Sequence, residues 1–188
     1  RDITDEEPRI GVFVCHCGSN IASVVDVEKV VDYARGLNNV AFADHAIYVC
    51  SDDSQDIIKE KIIEHNLNRV VVASCTPRTH EPLFKRTDEE VGINPCKSRF
   101  VSIREQVSWV HMKEPEIATE KAKDLIKMGV AKAALLEEGQ EVRLPVKTDC
   151  LVIGGGMAGM NAALSVADQG FNAIIVEKEA HSSARRSG

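Results

Sequence analysis

Two hydrophobic periods alternate along the chain. Apolar-rich stretches at 10–14, 40–49, 69–74 and 100–103 read as strands, the first of them buried. Between them, apolar residues recur every three or four positions, the spacing of an amphipathic helix. Val27, Val30, Val31 and Ala34 mark a helix over 26–37 with Asp26 as its N-cap, and Ile57, Ile58, Ile62 and Ile63 mark one closing near Asn66. A third helix spans 79–91, with Pro82 near its start, where proline is tolerated. The fourth, over 115–136, carries Ile117, Ala118, Ala122, Leu125, Ile126 and Met128. Strands and helices in this rhythm predict an α/β domain over 8–138 with a doubly wound parallel sheet. Residues 139–147, containing Pro145, predict a linker. Residues 180–188 have no apolar side chain larger than alanine and are expected to be disordered.

The segment 148–179 has a different character. A strand over 148–153 runs into Gly154-Gly155-Gly156-Met157-Ala158-Gly159, then an alanine-rich helix over 157–169 that ends at Gly170, then a strand over 173–176 that ends at Glu177. Gly154, Gly156 and Gly159 match the G-x-G-x-x-G spacing: the first allows the tight turn, the second lets backbone approach a pyrophosphate, and the third permits close helix–strand packing. An acid about 20 positions past the glycines is where the adenosine ribose hydroxyls bind, a role that falls to Glu177. A glycine-rich turn can also serve packing alone, but strand, glycines, helix, strand and terminal acid all fall in order here. The wording of the turn, with Glu rather than Asp at the end, leans towards FAD over NAD. The segment is expected to be only the opening β-α-β of a Rossmann-type domain.

Composition narrows the function classes. Aromatic residues make up 4% of the chain and hydrophobic residues 44%, so aliphatic side chains fill the core, as in parallel sheets. With 23 basic residues against 29 acidic ones, a net charge of −6 and no basic cluster, nucleic acid is not an expected partner. No apolar run approaches the roughly 20 residues that span a bilayer, and residues 1–7 lack the apolar stretch of a secretory signal, so the expected location is the cytoplasm.

In that compartment the six cysteines, Cys15, Cys17, Cys50, Cys75, Cys96 and Cys150, are not expected to form structural disulfides. Cys15 with Cys17, Cys50 and Cys75 each fall at the end of a different predicted strand, and strand ends form one edge of a doubly wound sheet. Three uses stay open for them: a [4Fe-4S] cluster, a structural zinc, or unrelated buried thiols. His16, Arg78 and His80 are placed near the same edge as possible donors to sulfur. Cys96, Cys150 and Trp109 read as structural, with Trp109 in the core. Trp109 and His111 could instead form a contact surface.

Several segments together resemble the A-subunit of heterodisulfide reductase, an iron–sulfur flavoprotein: Val14-Cys15-His16-Cys17-Gly18, Val49-Cys50-Ser51, Asn68 through Phe84, and Ile103-Arg104-Glu105-Gln106. The likeness covers about residues 8–179 and is most specific from Cys75 to Phe84. It implies an electron-transfer subunit of anaerobes with a thioredoxin-reductase-like FAD domain, in which the flavin is the site of electron bifurcation in methanogenesis. By position it implies a [4Fe-4S] cluster on Cys15, Cys17, Cys50 and Cys75, with Cys96 as a substitute ligand, and the ADP half of FAD on Gly154, Gly156, Gly159 and Glu177. The implied partners are other heterodisulfide reductase subunits, a hydrogenase or formate dehydrogenase subunit that supplies electrons, and a second copy of the chain. No catalytic residue is expected within these residues, which should not make a complete enzyme alone. Two other functions stay open: a non-catalytic assembly subunit docking to a larger redox complex, and a thiol redox or carrier protein using Cys15 and Cys17.

Overall fold

The computed structural model describes residues 6–139, 142 and 144–179. The chain divides into two compact units, residues 1–140 and 141–188. The first is built in the order β1 (Ile10–Cys15), α1 (Ser19–Ala22), α2 (Val27–Arg35), β2 (Val40–Ala46), α3 (Asp52–Glu64), β3 (Arg69–Ser74), α4 (Pro77–Glu90), β4 (Ser98–Ser102) and α5 (Pro115–Ala134). All its strand pairs are parallel, in the order β2-β1-β3-β4. β1 and β3 are buried along their whole length, as their unbroken apolar runs require of central strands.

Strand alternation divides the core between two faces. Val12, Val14, Val71, Ala73 and Val101 pack against Ile21 of α1, Val27 and Val30 of α2, and Ala118, Ala122, Ile126 and Val130 of α5. Phe13, Cys15, Val70, Val72 and Phe100 pack against Ile58 and Ile62 of α3 and Phe84 of α4. Helices thus cover both faces, which is the doubly wound α/β class. Each valine, isoleucine or phenylalanine among these core residues contributes about 1.5–3 kcal/mol on burial.

The chain leaves β1 for β2, then crosses back past β1 to β3. That reversal puts a topological switch point between β1 and β3, and in such sheets the ligand crevice opens beyond the strands' C-terminal ends. The helices that follow β2 and β3 start at that edge and are capped by local polar side chains. Ser51 accepts from the Ser54 N–H at 3.4 Å, and Thr76 accepts from the Arg78 N–H at 3.4 Å. Asp26 caps α2 as its position predicts, accepting from the Lys29 N–H at 3.1 Å.

Three details differ from the sequence expectations. β2 stops at Ala46, short of residue 49, because the chain turns there: the Gly18 N–H donates to the Ile47 carbonyl, and the Ser51 N–H returns to the Tyr48 carbonyl. The helical stripes are narrower than drawn. Ile58 and Ile62 are buried while Ile57 and Ile63 face outward, and Ile117 and Met128 of α5 are likewise exposed. Trp109 is not a core residue; it is 49% exposed. It ends a wide π-helical turn, Arg104–Ser108, in which the Ser108 N–H donates to the Ile103 carbonyl at 3.1 Å and the Trp109 N–H to the Arg104 carbonyl at 3.0 Å.

The second unit consists of β5 (Cys150–Ile153), α6 (Met157–Asp168) and β6 (Ala173–Val176), with β5 and β6 paired in parallel from Cys150↔Ala173 to Ile153↔Val176. This is a Rossmann-like β-α-β. The segment expected to be a disordered tail lies outside the described residues. No helix among the described residues is long and apolar enough to cross a membrane.

Candidate cysteine site and dinucleotide turn

β1 delivers Cys15 as its last residue, and the next turn brings Cys17 back beside it. Cys17 and Gly18 both take left-handed backbone, at φ 50° and 58°. A cysteine there is uncommon, and such strain persists where the surrounding structure fixes it. Gly18 is required twice over: its φ favours glycine, and a Cβ at this position would stand 2.7 Å from Tyr48 Oη. The turn aims the Cys17 N–H at Cys15 Sγ, 3.2 Å away, and Cys15 Sγ lies 3.7 Å from the Ile47 carbonyl oxygen.

Cys50 arrives from the turn after β2, and Cys75 from the position directly after β3. Burial pushes the Cys50 thiol up from its usual range, and the nearby sulfurs of Cys15, Cys75 and Cys17 push it further. Burial likewise raises Cys75, with Cys17 and Cys15 adding to the rise and the Ser74 hydroxyl and the Arg104 guanidinium opposing it. The four thiols therefore share one electrostatic neighbourhood at the switch-point edge. All six cysteines are free thiols.

The cation at this site was missed from sequence. Arg104 Nη1 donates to Cys17 Sγ at 3.4 Å, its Nη2 donates to Glu105 at 2.8 Å, and the guanidinium lies 4.6 Å from the Trp109 ring centre. Glu105 also accepts from the Ser102 hydroxyl at 2.6 Å. Of the donors expected from sequence, Arg78 is exposed on α4, His80 is half-buried on the same helix, and His16 pairs with His45 through ring nitrogens 2.9 Å apart. Burial, then the neighbouring His45, lowers the His16 pKa. Cys96, expected as a substitute ligand, lies apart from the other four. It precedes β4 and so sits at the opposite edge of the parallel sheet, exposed and beside Gly139. Among the described residues, no group of three or more His, Cys, Asp or Glu side chains is arranged to hold a metal ion.

In the second unit, Gly154 takes φ 104°. A Cβ on Gly159 would lie 1.9 Å from the Gly154 carbonyl oxygen, so the third glycine is what lets α6 start against the turn. Gly156, the N-cap of α6, has open space where its Cβ would be. Glu177 closes the arrangement across the sheet end. Its Oε2 accepts from the Gly155 N–H at 2.6 Å, and its Oε1 accepts from the Lys178 and Glu179 N–H groups at 2.6 and 3.1 Å. These backbone donors, Gly155 foremost, hold the Glu177 carboxyl below the usual carboxylate range, so it is an anion fixed at the mouth of the glycine turn.

Comparison with known proteins follows the same division. Residues 149–188 match the FAD binding domain family. Over 177 residues the chain is 56% identical to iron–sulfur A-subunit 2 of the Methanopyrus kandleri CoB–CoM heterodisulfide reductase, covering 94% of this chain and 27% of that protein. The chain is homologous to the heterodisulfide reductase A-subunit. It is also 54% identical over 185 residues to the A-subunit of the H2:CoB–CoM heterodisulfide,ferredoxin reductase of Methanothermobacter thermautotrophicus, covering 98% of this chain and 28% of that one. A heterodisulfide reductase protein of Archaeoglobus profundus, described as A-subunit-like, is 47% identical over 176 residues, 94% of this chain and 25% of that one. The chain spans about a quarter of the length of these relatives.

Proposed function

We propose that this chain is an electron-transfer module of a heterodisulfide reductase complex, with a [4Fe-4S] cluster on Cys15, Cys17, Cys50 and Cys75 and the ADP half of FAD on Gly154, Gly156, Gly159 and Glu177. Residues 8–138 are the cluster-bearing domain in this proposal, residues 139–147 the linker and residues 148–179 the start of the FAD domain.

One observation carries the cluster: Cys15 ends β1, Cys17 turns its N–H back onto Cys15 Sγ at 3.2 Å, and Cys50 and Cys75 follow the two strands that flank β1, all at the switch-point edge. Four cysteine sulfurs are the standard donor set for a cubane, whose ligands surround a body larger than one ion and need not close on a single point. The Cys17 N–H on Cys15 and the Arg104 N–H on Cys17 are donors of the kind that stabilise cluster thiolates. A cluster would supply one-electron transfer. FAD fits the second unit because the glycine turn leaves backbone open at Gly156, where a pyrophosphate would come, with the ionised Glu177 beside it to accept from ribose hydroxyls.

The relatives' names speak of H2, ferredoxin and the CoB–CoM heterodisulfide. By extension, this module works in the cytoplasm beside other heterodisulfide reductase subunits, next to a hydrogenase or formate dehydrogenase subunit, in flavin-based electron bifurcation. Anaerobic reconstitution with iron and sulfide, followed by EPR of the reduced protein, tests it. A cubane signal that disappears in Cys75→Ser is the expected result; a chain that never shows the signal would remove the cluster.

A second reading, a docking subunit without electron transfer, draws on the exposed apolar side chains of the second unit, among them Leu151, Ile153, Leu164 and Ile174. A variant with all four site cysteines changed to serine that still binds its partner subunits and supports turnover would favour that reading.

A further inference from the structure

The Arg104 side chain reaches the cysteine site in an over-determined pose. It arises from a π-helical turn, an arrangement that recurs at functional sites, and that turn's wide pitch sets Trp109 under the guanidinium of Arg104, five residues earlier. One guanidinium nitrogen is held by Glu105, which is held in turn by Ser102; a second donates to Cys17 Sγ; and Nε is buried with no hydrogen-bond partner among the described residues. A buried arginine with an unmade bond costs stability that a purely structural ion pair to Glu105 does not recover. What the pose achieves is to keep one cation on the sulfur of Cys17 and near Cys75.

We infer that Arg104, locked by Trp109 and Glu105, is a positioning residue that sets the reduction potential of the centre on Cys15, Cys17, Cys50 and Cys75, a proposal that rests on the cluster reading given above. The reduced cluster carries one more negative charge than the oxidised one. A fixed guanidinium N–H on a ligand sulfur therefore stabilises the reduced form more, and raises the potential. Removing it favours the oxidised form. An effect of about tenfold in the oxidised-to-reduced ratio at a given poise corresponds, for a one-electron couple, to about 59 mV.

The test is an EPR-monitored redox titration of the whole chain, reconstituted anaerobically, as Arg104, Arg104→Met and Arg104→Lys proteins. Methionine keeps the apolar stem over Trp109 without the charge; lysine keeps a charge without the planar fork. The expected result is a cubane in all three, with the midpoint lowered about tenfold in ratio for Arg104→Met and by less for Arg104→Lys. Weaker coupling to an exchangeable proton in ENDOR of both variants is expected alongside. If Arg104→Met fails to retain iron, Arg104→Lys decides alone: a lowered midpoint supports the assignment and an unchanged one overturns it. Equal midpoints in all three proteins also overturn it while leaving the cluster intact. A cluster missing from the unmutated chain defeats the underlying reading instead, so the two failures are distinguishable.

Discussion

Asp88 of α4 is a buried carboxyl that accepts a hydrogen bond from the Ser98 hydroxyl, and burial pushes it up to about 7. An unfolded aspartate titrates near 3.9, so between about pH 4 and 7 the folded protein holds a proton that the unfolded chain has lost. The stability from neutral Asp88 is fully present below about pH 4 and is lost as pH rises through about 7. The loss amounts to about 4 kcal/mol. Asp88→Asn keeps the shape and a carbonyl for Ser98 while removing the charge. Its melting temperature should exceed that of the unmutated chain clearly at pH 8.5 and much less at pH 5; an equal difference at both would show that the Asp88 carboxyl is not raised above its unfolded value. Side chains of this kind were where sequence reading stopped short. Asp88 and Arg104 look like ordinary surface charges in the sequence, and Trp109 like a core residue, because burial and partners come from strands and turns remote in the chain. Arg104 meets Cys17 across 87 positions, and no local period encodes that.

Elements were more legible than residues. The runs that became β1 and β3, the helices α2 to α5 and the whole β5-α6-β6 order could be read directly, because buried parallel strands need unbroken apolar runs and amphipathic helices need their stripe. The π-helical turn and the true end of β2 could not, since both depend on which carbonyl a given N–H finds in three dimensions. The glycine turn gives a prediction at this scale. Gly159→Ala drives a methyl into the Gly154 carbonyl and should cost about 1–3 kcal/mol of the unit's stability, seen in thermal unfolding. Gly156→Ala meets open space at an ordinary extended backbone, so it should leave melting within about 0.5 kcal/mol. Its expected effect is on ligand alone, at least a tenfold loss of FAD or ADP affinity by calorimetry. Unchanged affinity in Gly156→Ala would show that the pyrophosphate does not approach there. Gly18→Ala should similarly strain the turn between Cys17 and α1 by about 1–2 kcal/mol, because its φ is positive and Tyr48 occupies the space.

At the scale of the whole molecule, connectivity supplies what spacing does not. Cys15, Cys17, Cys50 and Cys75 match no compact ligand motif, yet the order β2-β1-β3-β4 sets their strand ends side by side at the switch point. That convergence could be expected from the strand–helix rhythm alone, whereas the exclusion of Cys96 needed the direction of β4, which sets it at the far edge. The same topology gives the sharpest test of the account. Iron and acid-labile sulfide are to be measured in the anaerobically reconstituted chain and in single serine variants of Cys15, Cys17, Cys50, Cys75 and Cys96. Iron and sulfide are expected in the equal amounts of a [4Fe-4S] cluster, retained in Cys96→Ser and lost or strongly reduced in each of the other four. Iron that is absent from the unmutated chain, or that survives Cys75→Ser while disappearing with Cys96→Ser, would contradict it.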